Sequence, residues 1–210
     1  MPWMDLALAA VAVGVALALR PWRALPAGGP PWPWLAWWAA LPLLWSADRV
    51  AAVPVAQPLS GAALLMLMAG WPLAVLALLP VAAVATLMGG LDPWDGLHRL
   101  VWTGLVPATG AMALGAAIRR WLPNHLFVYI LGRGFFATAI AGSLAGLLSV
   151  GLHGAPAALA EADVALARFL AAWGDAFLTG MLVAIFVAFR PEWLATYADR
   201  IWLRPPAAGR

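Results

Sequence analysis

The chain has no cysteine and no lysine, only three histidines, and charged residues at just 10% of its 210 positions. An ordinary globular domain is roughly 25% charged, so this composition cannot furnish a water-facing surface around a soluble core. The absence of cysteine excludes disulfide frameworks, thiolate metal sites and cysteine nucleophiles together. All twelve cations are arginine, placed mostly at the ends of apolar runs, which is where membrane helices carry them. No basic stripe interleaved with aromatic residues lies on a polar face, so the pI near 10.6 reflects membrane topology and not nucleic-acid binding.

What the chain does have is apolar residues, 65% of the total, with a mean hydropathy of +0.90. At about 20 residues per crossing, this predicts an all-α integral membrane bundle of about six transmembrane helices, within a range of five to seven. It forms a single transmembrane domain over 1–210. The runs are Leu6 to Leu19, Trp32 to Trp45, Leu59 to Met88, a fourth that follows the polar turn Gly89 to Gly96 and extends to Ile118, Leu126 to Val150, and Val164 to Phe189. The third is broken at Gly70-Trp71-Pro72, where proline removes a backbone donor, so it reads as a half-helix at 58–70 leading into a full span. Pro107 is expected to kink the fourth. Met1-Pro2-Trp3-Met4-Asp5 lacks the basic start of a signal peptide, and the first run is expected to remain a membrane helix.

Arg119-Arg120 and the tail arginines Arg190, Arg200, Arg204 and Arg210 are separated by two crossings and share a side. The positive-inside rule makes that side cytoplasmic, giving a multi-pass protein of the cell inner membrane with a cytoplasmic C-terminus. The side of the N-terminus stays open. The tryptophans clustered near run ends, Trp32, Trp34, Trp37, Trp38 and Trp45 among them, are expected to anchor in the headgroup region.

Arg133 and Asp175 lie inside apolar runs, each costing about 2.5–3.5 kcal/mol at a bilayer centre, so each needs a partner or a wet cavity. Their similar depths on consecutive antiparallel helices would let them pair, either as part of a substrate or gating site or as a structural ion pair fixing helix register. Gly134, Gly142 and Gly146 fall on a small-residue face suited to close helix packing. Of the histidines, His98 stands near Asp92 and Asp95 and is the candidate with acidic company. His125 opens the fifth run at the water interface and His153 lies in a Gly-flanked loop. No spacing places two ligands on one helix face, so no metal site and no cofactor are assigned. Neither a serine nucleophile in a tight turn nor a phosphate-binding loop is present, and no enzyme activity is expected.

Several stretches together resemble the membrane permease family of energy-coupling factor (ECF) transporters, related to the cobalt- and nickel-uptake component of cobalamin biosynthesis. They are Gln57-Pro58-Leu59-Ser60-Gly61 running to Ala69-Gly70-Trp71-Pro72, then Gly89-Gly90, then Pro123-Asn124-His125-Leu126-Phe127-Val128-Tyr129. The most specific are Asp175-Ala176-Phe177-Leu178-Thr179-Gly180-Met181-Leu182 and Arg190-Pro191-Glu192-Trp193-Leu194-Ala195-Thr196-Tyr197, and the likeness covers 57–203. It implies a substrate-capture subunit of an ABC transporter for a divalent transition metal such as cobalt or nickel. Its implied partners are the lipid bilayer, a second membrane subunit and cytoplasmic ATPase subunits. In the cobalt and nickel members the metal is held by a Met-His-Ile start and by the histidine of a His-Pro-Thr-Gly stretch. Here those places hold Met1-Pro2-Trp3 and Gln57-Pro58, leaving Gln57 as a weak oxygen donor. Arg133 also replaces a small polar amide, while Asp175 keeps the expected acid. A structural or assembly protein that retains the fold without transport is the alternative.

Overall fold

The computed structural model describes residues 2–24, 30–50, 58–155 and 159–197, and among them there is helix and turn but no strand. We number the helices α1 (Pro2–Ala18), α2 (Trp32–Val50), α3 (Ala62–Ala69), α4 (Trp71–Gly89), α5 (Pro93–Trp121), α6 (Val128–His153) and α7 (Glu161–Phe189). Five helical segments, Pro2–Arg23 (α1 with the short turn after it) and α4 to α7, are long and apolar enough to cross a membrane. The chain is therefore a multi-pass helical membrane protein. The second run is longer than its apolar stretch suggested, because α2 continues through Ser46, Asp48 and Arg49, and that polar last turn keeps it from reading as a full apolar span.

Contacts between distant segments sort the helix ends into two sets. Asp5 meets His98 and His153, and Asp48 meets Arg99, so the start of α1, the end of α2, the start of α5 and the end of α6 share an acid end. At the opposite, arginine-rich end, Trp34 reaches Trp193 and Tyr129 reaches Thr196. Arg119, Arg120 and Arg190 close helices there. The start of the chain thus lies opposite the end of α7, which the arginine count alone left open.

The half-helix α3 occupies the centre. Residues Ala62 to Met68 are each 2% exposed or less, as an eight-residue segment that is apolar all round demands. Backbone ends inside an apolar medium must be satisfied by protein, and both ends of α3 are. At its start Gly61, with φ of +61°, donates its N–H to Asp175 at 2.8 Å. At its end the carbonyls of Leu67 and Met68 accept the N–H groups of Thr196 and Ala195 at 3.3 and 3.0 Å.

One expectation is corrected by the packing. Trp34, Trp37, Trp38 and Trp45 do not serve as headgroup anchors. Their indoles donate to the carbonyls of Trp193, Gly61, Ala77 and Ser60 at 2.7–3.0 Å, while Trp32 stays 68% exposed. The indole N–H needs an acceptor when buried, and the carbonyls flanking the half-helix supply several. In α5 the helix is irregular in the turn before Pro107, a π-helical stretch over Leu100–Leu105. Pro107 has no N–H to offer the carbonyl one turn back, Thr103, and that carbonyl accepts the Ser60 hydroxyl at 2.6 Å.

The small-residue face of α6 meets α7 of the same chain. A Cβ at Gly142 would stand 3.0 Å from Ala172 Cβ, one at Gly146 would stand 2.9 Å from Arg168 Cβ, and one at Gly134 would stand 3.2 Å from Val183 Cβ. Gly142→Leu is accordingly expected to cost about 1–3 kcal/mol through overpacking, read as earlier unfolding in a detergent titration. Gly151→Leu on the same helix, where nothing lies within 4 Å, should leave the midpoint unchanged.

Candidate functional site

A polar pocket of about 270 Å³ opens at the acid end, lined by Asp48, Arg49, Asp95, His98, Arg99, Trp102, Thr103 and Arg168 with Pro58 and Leu91. Arg99 is fixed in its wall by a two-pronged pair with Asp48, Nη1 to Oδ1 at 3.0 Å and Nη2 to Oδ2 at 2.9 Å, the fork geometry that suits guanidinium to carboxylate. A narrower cavity shares Pro58, Trp102, Thr103 and Arg168 with it and ends on Ser60 and Asp175. We call the wide pocket and this inner cavity, of about 20 Å³, the funnel, because they share that wall between the acid end and the start of the half-helix.

Asp175 sits in the middle of α7, 4% exposed, with its carboxylate committed to the Gly61 N–H. Arg133 is placed elsewhere. Its guanidinium carbon stands 5.4 Å from the centre of the Tyr129 ring, and Nη1 donates to the Thr196 carbonyl at 3.4 Å. No ion pair among the described residues joins Arg133 to Asp175. The physical reason is register. Gly134 packs on Gly180 and Val183 while Gly142 packs on Ala172, so Asp175 lies level with a part of α6 well beyond Arg133. Arg133 instead reaches toward the arginine-rich end, as long basic side chains do when their head needs water.

A third ionisable group inside an apolar run is Arg168. It precedes Asp175 by two helical turns, so both face the funnel from one side of α7. Its Nη1 reaches the Gly146 carbonyl at 3.3 Å, and its Nε is buried without a hydrogen bond. A lone arginine within the sixth apolar run was the available signal for it. The hydroxyls of Ser143 and Thr179 are also buried without hydrogen-bond partners.

His98 lies in the pocket wall, but its partners are not the nearby acids of its own segment. Asp92 is exposed and caps α5, accepting from the Trp94 N–H at 3.5 Å. His98 Nδ1 instead meets Asp5 Oδ2 at 3.1 Å, and its Nε2 meets Ser149 Oγ at 3.2 Å. His153, expected in a loop, is the last residue of α6, with its ring centre 4.6 Å from that of His98 and its Nε2 3.4 Å from Asp5 Oδ1. Asp5 is 3% exposed and also accepts the Trp102 indole N–H at 2.9 Å. One ligand atom from each of Asp5, His98 and His153 falls within 4.8 Å of the others. Gln57 lies outside the described residues. His125 is exposed at the arginine-rich end, with its ring stacked on Phe127.

Comparison of the chain with protein-family models, with curated proteins and with solved structures finds no match.

Proposed function

We propose that this protein is the membrane permease and substrate-capture subunit of an ECF-type ABC transporter for a divalent transition metal such as cobalt or nickel. Separate cytoplasmic ATPase subunits and a second membrane subunit would power it, since the chain carries no phosphate-binding loop. The observation that supports this reading is the buried half-helix α3, interrupted among the candidate membrane helices, with a polar pocket at the acid end whose inner cavity reaches Asp175. Non-helical backbone at membrane depth is tolerated where it is held by protein or lines a cavity, and broken helices at a central site are a recurrent device of transporters. On the positive-inside rule the arginine-rich end faces the cytoplasm of the inner membrane, and the funnel opens on the opposite side.

The competing reading is a structural or assembly protein, favoured by the protein partners that Arg133 and Asp175 both find. Uptake of radioactive nickel and cobalt decides between them. Cells expressing the chain with an ECF ATPase pair and its membrane partner are expected to accumulate one of the two ions above cells lacking the chain. Equal accumulation in both would leave the structural role.

A further inference from the structure

We propose that Asp5, His98 and His153 form a binding site for one divalent transition-metal ion at the acid end of the bundle. Three helix ends deliver the donors: the first turn of α1, the first turns of α5 and the last residue of α6. An ion about 2.0–2.1 Å from each of its ligands in tetrahedral geometry holds those ligand atoms about 3.3 Å apart. The carboxylate-to-imidazole separations here, 3.1 Å from Oδ2 to His98 and 3.4 Å from Oδ1 to His153, are of that order, and one donor atom from each of the three residues lies within 4.8 Å of the others.

Without an ion the cluster is incompletely satisfied. Both ring nitrogens of His153 are buried without a well-formed hydrogen bond, the Nε2 contact to Asp5 Oδ1 being 3.4 Å. A buried polar group left unpaired is costly, and a cation held by the three residues removes that cost at the His153 nitrogen that binds it. Two groups already orient the ligands from behind, as metal sites require: the Trp102 indole on Asp5 Oδ1 and the Ser149 hydroxyl on His98 Nε2. Two imidazoles with one carboxylate suit zinc, nickel, cobalt or copper, whereas magnesium and calcium prefer oxygen alone. An ion has a way in, because the His98 side chain is 29% exposed and lines the acid-end pocket.

Ion binding itself does not depend on the transport reading. Only the further statement that the ion is cargo rests on it, and the site then supplies a capture station in place of the family ligands missing at Pro2 and Gln57. The test is equilibrium dialysis of the purified full-length protein in detergent against nickel, cobalt and zinc. One ion per chain is expected, with affinity lowered by about a hundredfold or more in His98→Ala and in His153→Ala, at or beyond the upper end for loss of a mere supporting group. Trp102→Phe should weaken binding by about tenfold, and His125→Ala should leave it unchanged. X-ray absorption of the zinc-loaded wild-type protein is expected to show two imidazoles around the ion, a readout that survives even if a variant fails to fold. A wild-type protein that binds none of the three ions, a double His98→Ala/His153→Ala variant that binds as well as wild type, or a shell without imidazole each overturns the site. Binding without uptake leaves the site standing and removes the transport reading. Unimpaired uptake by the double variant removes the site as capture station and leaves transport standing.

Discussion

Gly61→Ala is expected to destabilise the protein by about 2–5 kcal/mol, the sum of a backbone and a packing cost. The backbone at Gly61 is left-handed, with φ of +61°, which costs a residue with a Cβ about 1–2 kcal/mol. The new methyl would also stand 2.5 Å from Leu41 Cδ2 and 2.9 Å from Trp37 Cζ2, and such overpacking costs typically about 1–3 kcal/mol. Gly90→Ala isolates the first effect, because Gly90 has φ of +58° but nothing within 4 Å of an added Cβ. Unfolding in a detergent titration should therefore place Gly90→Ala about 1–2 kcal/mol below wild type and Gly61→Ala clearly below that. Equal losses in the two would mean that α2 yields freely around Gly61. The consequence reaches past stability, because the Gly61 carbonyl accepts the Trp37 indole and its N–H serves Asp175. A shifted Gly61 moves the start of the half-helix and the floor of the funnel together.

The elements that were legible in the sequence are those set by local pattern. The apolar runs gave the membrane helices, Gly70-Trp71-Pro72 gave the break between α3 and α4, and the glycine spacing gave the face of α6 that meets α7. What was not legible depends on which helix ends meet. Asp5, His98 and His153 are far apart along the chain and occupy no common helix face, so no spacing rule joins them, and only the topology carries all three to the acid end. The inward turn of Trp37 and Trp45 was hidden for the same reason, since their acceptors are carbonyls at Gly61 and Ser60 in the connection before α3. Depth along separate helices was the other limit. Counting residues from each helix start put Arg133 and Asp175 level, but the packing of Gly142 on Ala172 sets a different register. Arg168 was legible as a charge in an apolar run, and its alignment with Asp175 follows from helical period alone.

Asp175 separates architecture from function more sharply than any other residue in the funnel. Asp175→Ala leaves the Gly61 N–H buried with no acceptor in place of the 2.8 Å bond, an unpaired donor that costs about 1–3 kcal/mol, and the start of α3 loses its side-chain hydrogen bond to α7. A shortfall of folded protein is the expected result, read by size-exclusion in detergent. Asp175→Asn keeps an oxygen in the same place and nearly the same volume, so it should fold as wild type does. If the carboxylate only caps the half-helix, the Asn variant transports normally. On the transport reading, in which the acid at the foot of the funnel meets the passing cation, the Asn variant folds but its metal uptake falls by about tenfold or more, a barrier raised by at least about 1.4 kcal/mol. Exchanging charges with Arg133, which would rescue an ion pair, should rescue neither folding nor uptake, because Arg133 spends its guanidinium on Tyr129 and Thr196 near the other end. Recovery of both by the exchange would show that the two side chains meet in a state of the bundle different from this one.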